Sequence, residues 1–202
     1  AAGRAGVPID PDKIDIYFGT FAKSFAAIGG FSASTKEVIE WIQYNARTQV
    51  FAKSLPMVYV QALEKALDLV INGEQNRAKM WENSAKLKEG LRELGYYVGP
   101  GESPICAVFA PIGDNDLNEI GEKMVRYLRE QGIFVTGVVY PVIPLGLCMF
   151  RMIPTASHTD DDIEKTIKAF KSLRDDIGFD LTMSERDKAN IGRIYVDEKG
   201  KN

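Results

Sequence analysis

The order of apolar segments beyond Gly95 constrains the fold of this 202-residue chain more than any other feature. Gly99-Pro100-Gly101 and Ser103-Pro104 form a turn cluster. After it the residues read as strand (105–110), helix (116–131), strand (133–139), strand (147–153) and helix (159 to about 175). That order is that of an α+β sandwich. The last helix carries its own start signal: Thr159 and Asp162 have capping-box spacing, and Ile163, Ile167 and Phe170 form the apolar stripe behind them.

The first 95 residues have a different texture. Lys13 to Phe18 alternates with a period near two and ends at Gly19, which predicts a short strand, followed by a small-residue loop to Ser34. Ser34 and Glu37 then have capping-box spacing ahead of Val38, Ile39, Trp41 and Ile42, predicting a helix over 35 to about 47. After Pro56, the residues from Val58 to Ile71 are too apolar for a surface helix and predict a buried one, ended by Gly73. A longer amphipathic helix over 74–94 follows, with Met80, Trp81, Ala85, Leu87 and Leu91 on one side. The change of texture places a domain boundary between 95 and 96. The second domain then covers 96–180, and the charge-rich stretch 181–202 reads as a surface arm.

Composition excludes several classes of partner. With 25 Lys+Arg against 28 Asp+Glu, the net charge of −3 and the scattered basic residues build no stripe for a nucleic-acid backbone. The most apolar stretch, 14–33, is broken by Gly19, Lys23, Gly29 and Gly30, too often for a spanning helix; peripheral membrane contact stays open. Cys106 and Cys148 each lie in an apolar run and read as buried free thiols, which suits a reducing, cytoplasmic compartment. The chain starts without Met and by Asp15 reads like the inside of a fold, so a fragment is expected.

Lys23 is the only charged residue between Ile16 and Thr35. An ammonium held among apolar neighbours loses solvation, so its pKa is expected to fall and free the amine as a Schiff-base nucleophile. The surrounding Gly19, Ala22, Ser24, Ala26, Ala27, Gly29 and Gly30 would let a flat cofactor approach the backbone, and Thr20 offers a hydroxyl. On spacing alone, a lysine reaching out of an apolar loop fits somewhat better.

The run from Thr20 to Gly30 (TFAKSFAAIGG) resembles the pyridoxal-phosphate attachment segment of the α-oxoamine synthases, fold-type I enzymes that join an amino acid to an acyl-CoA with loss of carbon dioxide. The resemblance implies that Lys23 carries the cofactor and moves the substrate α-proton, and that Thr20 contacts the cofactor phosphate. Phe51 to Pro56 resembles the stretch that crosses the family's dimer interface towards the partner's phosphate. This copy has Ala52 and Lys53 where many members have two hydroxyl residues, which leaves Lys53, Ser54 or the backbone for that contact, with Ser54 equally readable as a helix cap.

Two further runs, Tyr140 to Gly146 and Phe150 to Thr159, also resemble the family. The resemblance implies that Arg151 holds the amino-acid carboxylate; a structural ion pair is the alternative. Members that use succinyl-CoA have threonine at the place of Val142, so an apolar residue there implies a longer acyl donor. His158, the single histidine, reads as a surface or capping residue. These runs are most similar to bacterial serine palmitoyltransferases, implying serine and a long-chain acyl-CoA as substrates in the first step of sphingolipid synthesis. Glycine C-acetyltransferase and 8-amino-7-oxononanoate synthase are the alternatives, with a noncatalytic subunit as a reading of another class.

The family's ring-nitrogen aspartate, stacking histidine and glycine-rich phosphate loop lie before the segment that begins this chain. The resemblance therefore implies the C-terminal part of a homodimeric enzyme, inactive by itself.

Overall fold

The computed structural model describes residues 13–101, 103–112, 117–178 and 182–194. They fold as two compact units, 1–74 and 75–202. In the first, strand β1 (Tyr17–Thr20) pairs antiparallel with β2 (Gly30–Ala33), from Tyr17 opposite Ala33 to Thr20 opposite Gly30. Helices α1 (Lys36–Asn45), α2 (Arg47–Val50) and α3 (Met57–Ile71) follow. The loop expected up to Ser34 is therefore half strand. Its alternation is hidden because Gly30, Ser32 and Ala33 of β2 are small, and Gly19 is bare because the Phe31 ring lies across it: a Cβ there would meet that ring at 2.3 Å.

Three local expectations fail in this unit. Thr35, not Ser34, is the N-cap of α1 and makes no side-chain cap bond, and the Ser34 hydroxyl is engaged in donating to the Asp15 carbonyl. Pro56 is the N-cap of α3, again without a side-chain bond, so Ser54 caps nothing. Helix α3, expected to be buried, has no buried residue, and Met57 and Val58 are 70% and 67% exposed. Apolar composition asks for a covering layer but does not supply one, and the described residues of this unit contain none.

The second unit opens with α4 (Glu74–Glu93), which the sequence boundary had grouped with the first 95 residues. Then come β3 (Tyr97–Val98), β4 (Cys106–Pro111), α5 (Leu117–Glu130), β5 (Thr136–Val138), β6 (Leu147–Met152), α6 (Asp160–Ile177) and α7 (Glu185–Ile194). The strands form one antiparallel sheet in the order β3-β4-β6-β5. Strand periodicity divides the side chains between its two faces. Cys106, Val108 and Ala110 of β4 and Cys148, Phe150 and Met152 of β6 face a core built with Leu87 and Leu91 of α4, Met124 and Leu128 of α5, and Phe170 and Leu173 of α6. Gly90 allows α4 to approach α6 closely, since a Cβ would meet Ile167 at 2.4 Å.

Helix α6 starts as its sequence predicts. Thr159 Oγ1 accepts from the Asp162 N–H at 3.2 Å, and Asp162 Oδ2 accepts from the Thr159 N–H at 2.8 Å. The buried side of α4, in contrast, includes polar residues that periodicity did not reveal. Asn83 Nδ2 donates to the carbonyls of Thr155 and His158, Ser84 to that of Pro104 and Lys88 to that of Ser103, so one helix holds two turns.

On the opposite face of the sheet, Phe109 of β4 and Leu147 of β6 pack with Ile143, Met183 and Ile191. The stretch read as a charged arm thus forms α7 over 185–194. Its start is capped by Ser184, whose Oγ accepts from the Asp187 N–H at 3.1 Å. The S-x-x-D spacing was there to be read, but it is followed by apolar residues too sparse to form a stripe.

Cys106 and Cys148 are buried free thiols, as expected, and burial pushes each up to about 11. A folded state that keeps its thiol protons after the unfolded chain has lost them becomes less stable as pH climbs from about 9 towards 11, and is unaffected below that window. The expected loss is about 2–3 kcal/mol per thiol at the top of the window. Urea unfolding at pH 8 and pH 10 checks this. Cys148→Ala must show a smaller drop between the two pH values than the parent, and an equal drop would refute the assignment.

Candidate active site

Lys23 lies on the loop that closes the β1–β2 hairpin. Phe21 N–H donates to the Gly29 carbonyl and Ala27 N–H to that of Phe21, both at 2.9 Å, continuing the ladder past the strands. At the tip, Ala26 N–H donates to the Lys23 carbonyl at 2.9 Å. The tip bends through Ala26, whose φ of +49° is left-handed for a residue with a Cβ, and through Gly29 at +98°. Strain of this kind, about 1–3 kcal/mol, persists only where the surroundings impose it. Here Phe21 packs edge-on against Phe25 at 5.4 Å and against Phe31 at 5.7 Å.

The Lys23 side chain stands exposed on this turn, with no hydrogen bond or ion pair among the described residues. The apolar enclosure expected around it is not built by these residues, because the neighbouring rings pack on one another. Thr20 Oγ1 accepts from the Ala22 N–H at 3.2 Å and reaches the Gly29 carbonyl only at 3.4 Å, a weak bond easily given up. Leu55 touches the same loop: a Cβ on Gly29 would meet its Cδ2 at 3.1 Å. The segment carrying Lys53 and Ser54, both exposed, is thereby held beside the lysine turn.

An aldehyde- and phosphate-bearing cofactor fits these groups on one side. They present an amine, two hydroxyls, a second ammonium and a surface of glycine and alanine. Among the described residues of this unit, no carboxylate placed for a ring nitrogen and no stacking ring accompanies them.

Arg151 and Val142 belong to the second unit. Arg151 lies on β6 opposite Ala107 of β4 and Thr136 of β5. It shares the face of Leu147 and Met149, along which exposure rises from buried Leu147 through half-buried Met149 to exposed Arg151. The burial cost expected for a guanidinium in an apolar strand is avoided by this alternation. No ion pair engages Arg151 among the described residues, so the structural alternative lacks a partner.

Its side chain lines a pocket of about 500 Å³ with Thr136, Phe134, Ile153, His158 and Lys165. That volume is within the range of small-molecule sites. His158 is anchored rather than poised: its Nδ1 takes the Thr155 N–H at 2.9 Å, and its carbonyl takes Asn83 Nδ2 at 2.8 Å. Val142 is 75% exposed on the 140–146 loop.

Comparison with known proteins identifies the fold and the family. The solved serine palmitoyltransferase of Sphingomonas wittichii superposes with a TM-score of 0.76 at 29% identity, over 88% of this chain and 43% of that one. The fold is that of the fold-type I pyridoxal-phosphate enzymes. A cysteate-C-fatty acyltransferase of Capnocytophaga ochracea is 44% identical over 165 residues, 81% of this chain and 38% of its own length. An 8-amino-7-oxononanoate synthase of Thermoanaerobacter pseudethanolicus is 34% identical over 161 residues, 80% and 40% of the two lengths. The aminotransferase class I and II model matches residues 2–170. The chain belongs to the aminotransferase class I and II family, and within it to the α-oxoamine synthases, whose cofactor is pyridoxal phosphate. It spans about two-fifths of the length of the curated relatives it matches.

Proposed function

We propose that this chain, in a polypeptide of its relatives' full length, condenses an amino acid with a long-chain acyl-CoA and releases carbon dioxide. The observation that carries the proposal is the unpartnered Lys23 amine, presented on a braced glycine- and alanine-rich turn. Lys23 would hold the cofactor through its aldehyde, with the Thr20 hydroxyl as a phosphate donor, while Lys53 or Ser54 would reach the phosphate of the partner subunit's cofactor. Pyridoxal phosphate supplies an electron sink for charge developed at the substrate Cα. The amine of Lys23, once released, takes the α-proton. Arg151 presents a fork of donors matched to the amino-acid carboxylate, and orients it without competition from a resident acid.

The ring-nitrogen carboxylate, the stacking ring and the layer over α3 are assigned to the rest of such a polypeptide, working as a cytoplasmic homodimer. The chain by itself is expected to be inactive. Among the described residues, no helix is long and apolar enough to cross a membrane.

Serine is the amino acid favoured by the wording around Arg151, with palmitoyl-CoA as donor and sphingolipid synthesis as destination. Cysteate is a second reading, favoured by the 44% identity to an enzyme named for it. Borohydride reduction after incubation with pyridoxal phosphate, followed by peptide mapping, tests the common core. Stoichiometric label is expected on Lys23 and is lost in Lys23→Ala. Label spread over surface lysines, unaltered by that substitution, would refute the reading. A panel of serine, cysteate and glycine against acyl-CoAs of several lengths, run on protein of full family length, then separates the substrates.

A further inference from the structure

Helix α7 lies beyond residue 170, where the family match ends, and none of the roles above uses it. Its buried residue is Ile191, fully enclosed; Met183, just before its cap, is 6% exposed. Both belong to one buried cluster with Phe109 and Leu147 of the sheet and with Ile143, which belongs to neither a strand nor a helix. Ile143 is the inward-facing residue of the 140–146 loop, and its chain neighbour Val142 points to solvent.

Three anchors hold that loop. At its start, Val142 N–H donates to the Val139 carbonyl at 3.1 Å; at its end, the Gly146 carbonyl takes the Ile112 N–H at 2.8 Å. Between them, among the described residues, Ile143 is the one buried side chain of the loop, in a cluster that includes Met183 and Ile191. The same helix covers the Leu147 end of the sheet face and leaves the Arg151 end open.

We infer that α7 is a positioning element for the substrate loop. By clamping Ile143 against Phe109 and Leu147, Met183 and Ile191 set where Val142 stands, and with it which acyl donor the loop admits. The part concerning acyl choice rests on the proposed function; the mechanical part does not. Two apolar side chains suffice because the loop's ends are already tied, leaving a short span whose freedom one buried contact removes.

Hydrogen exchange on the chain as it stands tests the clamp without cofactor or substrate. In Ile191→Asp, and more mildly in Met183→Ala, amides of 140–146 and the Ile112 amide are expected to exchange about tenfold faster or more. Those of the β4–β6 ladder and α6 should hold, and Ile191→Leu should restore protection. Unchanged exchange in 140–146 would overturn the inference, as would an equal rise across the ladder and α6, which would make α7 a general stabiliser. In protein of full family length, Ile191→Asp is expected to shift the ratio of kcat/KM for palmitoyl-CoA over octanoyl-CoA about fivefold or more, with the amino-acid KM unchanged. A constant ratio overturns the acyl-selection part. Absence of turnover in the parent would count against the proposed function, while the exchange result would still decide the clamp.

Discussion

On the proposed role of Arg151 as the carboxylate's partner, replacing it with alanine is expected to raise the KM for the amino acid on the order of 10²- to 10³-fold in protein of full family length, because one side of a charge-assisted contact is lost. The chain's folding stability should change by less than about 0.5 kcal/mol, since the guanidinium is exposed and bonds to no described residue. This pairing of a large kinetic effect with a negligible stability effect discriminates between the readings. A structural arginine would lose stability on truncation and leave KM alone. Arg151→Lys should recover only part of the loss, because an ammonium replaces a planar fork with a point charge. Steady-state kinetics with a varied amino acid, set beside urea unfolding, gives both quantities. A KM within a few-fold of the parent's would end the assignment of Arg151 to the carboxylate.

The second large effect is on folding. Phe170 is fully buried at the centre of the second unit, edge-on to Tyr96 at 5.3 Å and to Phe150 at 5.5 Å. Phe170→Ala should destabilise the unit by about 3–5 kcal/mol, from lost transfer energy and the cavity left behind. The Tyr96 hydroxyl donates to the Phe170 backbone carbonyl at 2.9 Å, and that bond survives the substitution. The loss therefore reports packing alone. Phe170→Leu fills much of the space and should cost less. Chemical denaturation measures both, and a loss below about 1 kcal/mol for alanine would mean that the core is not organised around this ring.

The features legible in the sequence are those whose causes are local. The capping box of Thr159 and Asp162 forms as spaced, because it needs four consecutive residues and no partner. Thr20, Lys23 and Gly29 are neighbours for the same reason, since they lie within one hairpin, but the role proposed for the lysine rests on the resemblance and not on its spacing. The free thiols could be placed in the interior because the apolar runs around Cys106 and Cys148 are strands of a two-sided sheet.

What only the tertiary structure decided depends on partners distant in sequence. Strand β2 exists through its ladder with β1, and the two-residue β3 through its ladder with β4; neither has a pattern of its own. Asn83, Ser84 and Lys88 lie on the buried side of α4 because turns at 155–158 and 103–104 offer them carbonyls, which helical periodicity cannot announce. Arg151 looked costly inside an apolar strand until the sheet placed it on the open face. Helix α3 looked buried and is not, because an apolar stripe specifies a need for cover while the covering layer must come from elsewhere. The sparse tail became α7 by the converse route: Met183 and Ile191 are too few to signal a helix, but the sheet face bearing Phe109 and Leu147 gives both somewhere to go. Sequence determines what each segment can do within a turn or two of itself; burial is decided by what arrives from the rest of the chain.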